Sequence, residues 1–184
     1  RLCDAIMAGE KEYLAHVDLA HVSTTDDREG VLTRVDVEAA PTRESVERAL
    51  AGFTGVIMQT PPIYSAVHVD GKRAYELARQ GRDVPLKPRE VSVREIRVVA
   101  YEFPRLVLDI ACGKGVYVRS LARDLGRALG CGGYLTALRR TRVGVHTLNG
   151  AVTLDAVRRG EPLTLREIVE SGKTPESNRE LRRF

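Results

Sequence analysis

The chain has 184 residues, 43% apolar and 29% charged, a balance that suits one soluble globular domain with a full core, with or without a short tail. No run approaches the roughly 18 apolar residues of a membrane span, and no charged-then-apolar leader opens the sequence. The net charge of +4 hides a division: residues 1–70 hold 6 basic and 12 acidic side chains, residues 71–150 hold 16 and 7, and residues 151–184 hold 7 and 6. A basic middle segment is the footprint of a polyanion-binding surface, or else a solvated face in an arginine-rich chain.

In chain order, KEYLAHVDL (11–19) alternates, with Tyr13, Ala15, Val17 and Leu19 on one side, which predicts a half-buried strand. VLTRVDVE (31–38) alternates through Val31, Val35 and Val37 and predicts a second. The 11 polar or small residues between them, AHVSTTDDREG, are long for a hairpin loop, and long loops more often carry function. Thr42 to Phe53 reads as a short helix capped by Thr42. The prolines of MQTPPIYSAVHVDG forbid helix and enforce an extended path. KRAYELARQ, between Gly71 and Gly81, predicts a second short helix.

Residues 91–100 form a strand whose phase slips, so a bulge is expected near Arg94 and Glu95. RLVLDIAC follows as another strand, with Leu106, Leu108, Ile110 and Cys112 on one face. GKGVYVRSLARDLG then opens a strongly amphipathic helix through Val118, Leu121, Ala122 and Leu125, with Arg119, Arg123 and Arg127 in a row on its polar side. YLTALRRTRVG clusters Arg139, Arg140 and Arg142 behind Leu135 and Leu138, and two short helices are expected from Thr153 onward. The pattern is α+β: a mixed, mostly antiparallel sheet with flanking helices.

Cys3, Cys112 and Cys131 form no C-x-x-C pair, which argues for reduced thiols in a cytoplasmic protein. The four histidines show no ligand spacing, so no metal is expected. There is no P-loop, G-x-S-x-G or H-E-x-x-H motif. Tyr117 and Arg119 flank one residue on a backbone shaped by Gly113 and Gly115, and at strand spacing both would face one way. Two readings stand open: a pocket offering a stacking ring and an anion-seeking fork, or a core tyrosine beside an arginine paired with a surface carboxylate. Tyr13 and Leu138 pose the same choice between pocket and core.

KEYLAHVDL with DDREG, QTPPIYSAVHVDGKRAYELARQG, and CGKGVYVRSLARDLGRALGCGGYLTALRRTRVG together resemble, in order, the blocks of the bacterial TruB family of tRNA pseudouridine-55 synthases. The resemblance covers about residues 9–155, nearly the whole expected catalytic domain (1–155), leaving 156–184 as a helical or polar tail. It implies the pseudouridine synthase catalytic-domain fold and isomerisation of uridine 55 in the TΨC stem-loop of tRNA by a cytoplasmic monomer, with no cofactor and no metal. It also implies roles: Arg119 pairs with the nucleophilic aspartate, Tyr13 stacks on the flipped base near its C5 proton, and Tyr117 and Leu138 pack around that base. Ala20, Ser23, His68, Gly113 and Val116 depart from the family pattern.

The family's G-T-L-D-P block, which carries the aspartate, is absent from the 184 residues. It would fall upstream of Arg1, so the chain is expected to be a fragment, inactive alone, with Arg119 lacking its partner. A PUA-like C-terminal domain is not evident. The other reading is a non-catalytic tRNA-binding or tRNA-folding module.

Overall fold

The computed structural model describes residues 8–69, 71–82, 84–149 and 151–160. A six-stranded sheet organises it, in the order β10 (His146–Thr147), β9 (Tyr134–Val143), β1 (Lys11–Asp18), β8 (Arg105–Cys112), β7 (Arg89–Glu102) and β4 (Gly55–Gln59). Every neighbouring pair in this sheet is antiparallel; parallel pairing is confined to one bridge, between Asp27 and Leu135. The expectation of a mixed sheet thus narrows to an antiparallel one among the described residues.

The alternation of β1 is realised as predicted: Ala15 and Val17 are buried and sit opposite Leu108 and Leu106 of β8. The phase slip in β7 is a register shift between Val93 and Glu95 against β8. An extra residue there bends the strand and turns its later side chains over.

Two small ribbons complete the strands: β2 (His21–Ser23) with β3 (Leu32–Arg34), and β5 (His68–Val69) with β6 (Lys72–Arg73). The strand expected over 31–38 shrinks to β3 because its partner β2 is only 3 residues long. Beyond it, the Val35 amide still donates to the Ala20 carbonyl at 2.8 Å.

Helix α1 (Arg43–Ala51) begins where Thr42 accepts the Ser45 amide at 3.2 Å, as its sequence position predicts. Helix α2 (Ala74–Arg79) is short and ends before Gly81, whose φ of 69° suits glycine. Helix α3 (Val118–Ala128) lays Val118, Leu121, Ala122 and Leu125 on the sheet, where they join Ala15, Val17, Leu106, Leu108 and Ile110 in one core. Of the two C-terminal helices expected, α4 (Leu154–Arg158) is present, and the segment of the other lies outside the described residues. No helix among the described residues is long and apolar enough to cross a membrane.

Cys112 and Cys131 are 1% and 7% exposed, and burial pushes each thiol up to about 11. At pH 8 a thiol of that pKa is ionised in about one molecule in a thousand. These two thiols therefore resist alkylation at pH 8 in the folded protein and react once urea unfolds it. Mass spectrometry of iodoacetamide adducts checks this, and rapid native labelling of both would contradict the burial.

Candidate active site

The site is built where three distant segments meet: the loop after β2, the proline segment after β4, and the start of α3. The loop is held by its own side chains. The Ser23 hydroxyl donates to the Asp27 carbonyl, the Thr25 hydroxyl to Asp27 Oδ1 at 2.6 Å, and the Glu29 amide to the same oxygen at 3.1 Å. Asp26 sits at φ 60°, a conformation that aspartate tolerates better than most residues. Gly30 closes the loop where a Cβ would collide with the Ser23 and Thr25 hydroxyls. The loop is anchored to the sheet by the Leu135 amide, which donates to the Asp26 carbonyl at 3.1 Å.

Two consecutive aspartates of this loop grip two arginines one helical turn apart. Arg119 Nη1 lies 2.9 Å from Asp27 Oδ2, both side chains 24% exposed. The same nitrogen donates to the Thr25 carbonyl at 3.2 Å, and Nη2 to the Tyr64 carbonyl at 2.8 Å. Asp27, 92 residues away, supplies Arg119 with a carboxylate, as in the reading that paired it with a carboxylate other than the aspartate of the G-T-L-D-P block.

Arg123 Nη1 lies 2.8 Å from Asp26 Oδ2, both side chains 13% exposed. Arg123 also donates to Asp124 at 2.9 Å and to the Thr60 carbonyl at 2.9 Å. Burial pushes the Asp26 carboxyl above its usual range, against the pull of Arg123. Burial opposes the charge on Arg123 too, but Asp124 and Asp26 together outweigh it and raise its pKa. The arginine has two carboxylates and Asp26 has one principal cation, so the pair shifts unevenly. Removing one member of such a pair costs about 3–5 kcal/mol, so substitutions here test folding before they test chemistry.

The helix starts at Val118, where its apolar spacing begins, but Tyr117 and Arg119 do not share a strand. Tyr117 is the extended N-cap residue (φ −102°, ψ 108°), and Arg119 already lies in the first helical turn. Strand alternation therefore does not set the directions of the two side chains. Gly115, at φ 88°, makes the turn before the helix. Gly113 has a Cβ's worth of space, its nearest neighbour being the Ser92 carbonyl at 3.5 Å, so the shape requires only one of the two glycines.

Tyr13 and Leu138 meet on the sheet instead. Tyr13 stands opposite Ile110 on β8 and Arg140 on β9, and Leu138 is one rung along, opposite Ala15. Tyr13 packs against the core that α3 covers, while Leu138 is 46% exposed. So Tyr13 and Leu138 share one patch of sheet, and Arg119 and Tyr117 open the helix packed on that sheet. The segment YLTALRRTRV that carries Leu138 is strand β9, a strand that its run of arginines conceals in the sequence.

The basic segment is not uniformly free to bind an anion. Arg94, Arg97, Arg119, Arg123 and Arg142 each lie within salt-bridge distance of a carboxylate. Arg142 bridges Glu10 and Glu12, at 2.5 and 2.8 Å, on the sheet edge. Lys72, Arg73, Arg79, Arg82, Lys87, Arg89, Lys114 and Arg140 of this segment are exposed.

Backbones arranged this way occur in solved structures. A Cbf5–Nop10–Gar1 complex matches 95% of this chain and 44% of the matched one, with a TM-score of 0.61 and 24% identity. An H/ACA ribonucleoprotein bound to a substrate RNA containing 2′-deoxyuridine matches 91% and 42%, with a TM-score of 0.59 and 21% identity. The fold is that of a pseudouridine synthase catalytic domain. Residues 1–118 match the model of the TruB family pseudouridylate synthase N-terminal domain, and residues 119–171 that of the tRNA pseudouridylate synthase B C-terminal domain. The chain belongs to the TruB family of pseudouridylate synthases.

Its relatives include tRNA pseudouridine synthase B of Burkholderia lata, 46% identical over 83% of this chain and 47% of that protein. The Bartonella bacilliformis protein of the same name is 42% identical over 85% and 49%, and that of Arthrobacter sp. 41% identical over 98% and 60%. The chain thus spans about half the length of most of these relatives.

Proposed function

We propose that the chain supplies most of the uridine pocket of a tRNA pseudouridine synthase acting on uridine 55 of the TΨC stem-loop. The observation that carries this is Arg119, fixed at the start of α3 by Asp27 and two backbone carbonyls, on a helix covering the sheet that bears Tyr13 and Leu138. In this reading a flipped uracil stacks on Tyr13, with Leu138 and Tyr117 closing around it, because chemistry on a base requires removing it from the stack. The reaction breaks the bond from C1′ to N1, turns the uracil, and forms a bond from C1′ to C5; N1 gains a proton and C5 loses one. Arg119 orients the attacking carboxylate of the G-T-L-D-P block and keeps it ionised, with Asp27 fixing the guanidinium from the other side. The balance needs no redox cofactor, and the protein acts as a monomer.

The G-T-L-D-P block is not among the 184 residues. The chain by itself therefore gives no turnover, whereas the protein encoded by the complete gene releases tritium from C5-labelled uridine in tRNA. Mapping the product to position 55 tests the site. Tritium release by the 184-residue chain would overturn the assignment of the nucleophile. Tight tRNA binding by the complete protein without release would make it a binding or folding module.

Affinity for tRNA falls by about tenfold or more between 50 and 200 mM salt, as expected when several exposed cations displace counterions from phosphates. A filter-binding titration checks this, and a salt-independent affinity would remove the exposed cations from the interface.

A further inference from the structure

Among the described residues three polar side chains are buried: Gln59, Ser65 and Ser120. Two of them tie the same two segments together. The Ser120 hydroxyl donates to the Thr60 carbonyl at 2.8 Å. Gln59, the last residue of edge strand β4 and 2% exposed, makes two hydrogen bonds to a single residue 58 positions away. Its Nε2 donates to the Tyr117 carbonyl at 3.1 Å, and its Oε1 accepts from the Tyr117 amide at 2.8 Å. A side-chain amide here does what a neighbouring strand would do: it satisfies both main-chain groups of one extended residue.

The position of this contact matters. Tyr117 has an extended backbone between the Gly115 turn and the first turn of α3, and its side chain makes no capping bond. The direction of the Tyr117 Cα–Cβ bond follows its backbone torsions, and Gln59 grips the amide and the carbonyl on either side of them. The Tyr117 carbonyl also accepts the Leu121 amide at 3.1 Å, so the helix holds one side of the residue and Gln59 the other. Arg119 follows two residues on, and its Nη2 bonds Tyr64 in the same proline segment.

We propose that Gln59 is a positioning residue for the pseudouridine synthase reaction: it sets the backbone of Tyr117, and through it the aim of the Tyr117 ring and of Arg119. The inference rests on the site assignment above. Both amide atoms are needed, because one fixes the amide and the other the carbonyl. A buried side-chain amide without these partners would itself be destabilising.

The test uses the complete protein with two substitutions. Gln59→Met keeps the length and removes both polar atoms; Gln59→Glu keeps the acceptor and removes the donor. In Gln59→Met the Tyr117 amide exchanges with deuterium about tenfold faster or more, while the core amides of β1 and β8 keep their protection. In Gln59→Glu the Tyr117 amide stays protected. Both variants lose about a hundredfold in kcat, the scale of a misplaced catalytic group, with KM for tRNA within about threefold.

A purely structural role would lower the melting temperature without this split between kcat and KM. Unchanged Tyr117 exchange in Gln59→Met overturns the clamp, and this readout needs no turnover. Wild-type kcat in either variant, with the wild-type protein active, overturns the catalytic consequence. A wild-type protein without turnover counts against the site assignment instead, and the exchange measurement then decides the clamp alone. If Gln59→Met does not fold, Gln59→Glu decides: its Tyr117 amide stays protected while kcat falls, or the proposal fails.

Discussion

Arg119→Ala in the complete protein lowers kcat on tRNA by about a hundred- to a thousandfold, the scale of removing one preorganised charge from a reacting centre, and leaves KM within about threefold. The side chain satisfies three acceptors at once: the Asp27 carboxylate and the Thr25 and Tyr64 carbonyls. A lysine presents one nitrogen where two are used, so Arg119→Lys recovers little of the loss. Asp27→Asn is milder, because Oδ1 alone holds Thr25 and Glu29 in the loop and an amide keeps that oxygen. Single-turnover kinetics with tRNA in excess of its dissociation constant reads the chemical step directly. An Arg119→Ala rate within threefold of wild type would remove the arginine from the mechanism.

The second large effect is at Tyr13. Tyr13→Ala removes the ring that stands between Ile110 and Arg140 on the sheet, and kcat falls about a hundredfold, as base–aromatic stacking is worth about 1–3 kcal/mol per base and the flipped geometry is lost with it. Tyr13→Phe separates ring from hydroxyl. A phenylalanine variant well above the alanine one assigns the role to stacking; one no faster assigns it to the hydroxyl near C5. Because Tyr13 also packs on the core, melting curves are needed beside the rates. An unaltered Tyr13→Ala rate would leave the residue as core packing only.

Elements governed by local periodicity were legible in the sequence. The alternation of β1, the Thr42 cap, the bulge in β7 and the apolar face of α3 all follow from residues within a few positions of one another. What was not legible depends on long-range pairing. Asp27 meets Arg119 across 92 residues, and the spacing of charges does not say which of them will meet. The same holds for Asp26 with Arg123, and for Gln59, which reads in the sequence as one polar residue ahead of two prolines. Strand β9 was obscured because its alternation is overwritten by arginines whose stems can lie along a sheet. The long loop after β2 and its DDREG pointed to the segment that holds Asp27 without assigning the residue a partner.

The central place of β1 has a consequence for how the molecule comes together during synthesis. Its hydrogen-bonded neighbours, β8 and β9, begin at residues 105 and 134, so the strand that bears Tyr13 has no sheet to join until most of the chain exists. Contacts so distant in sequence close late and slowly. A chain arrested before residue 119 would carry Asp26 and Asp27 without their arginines, and Tyr13 without its β9 neighbour Arg140. The aspartate–arginine contacts and the pairing of β1 with β9 therefore close late.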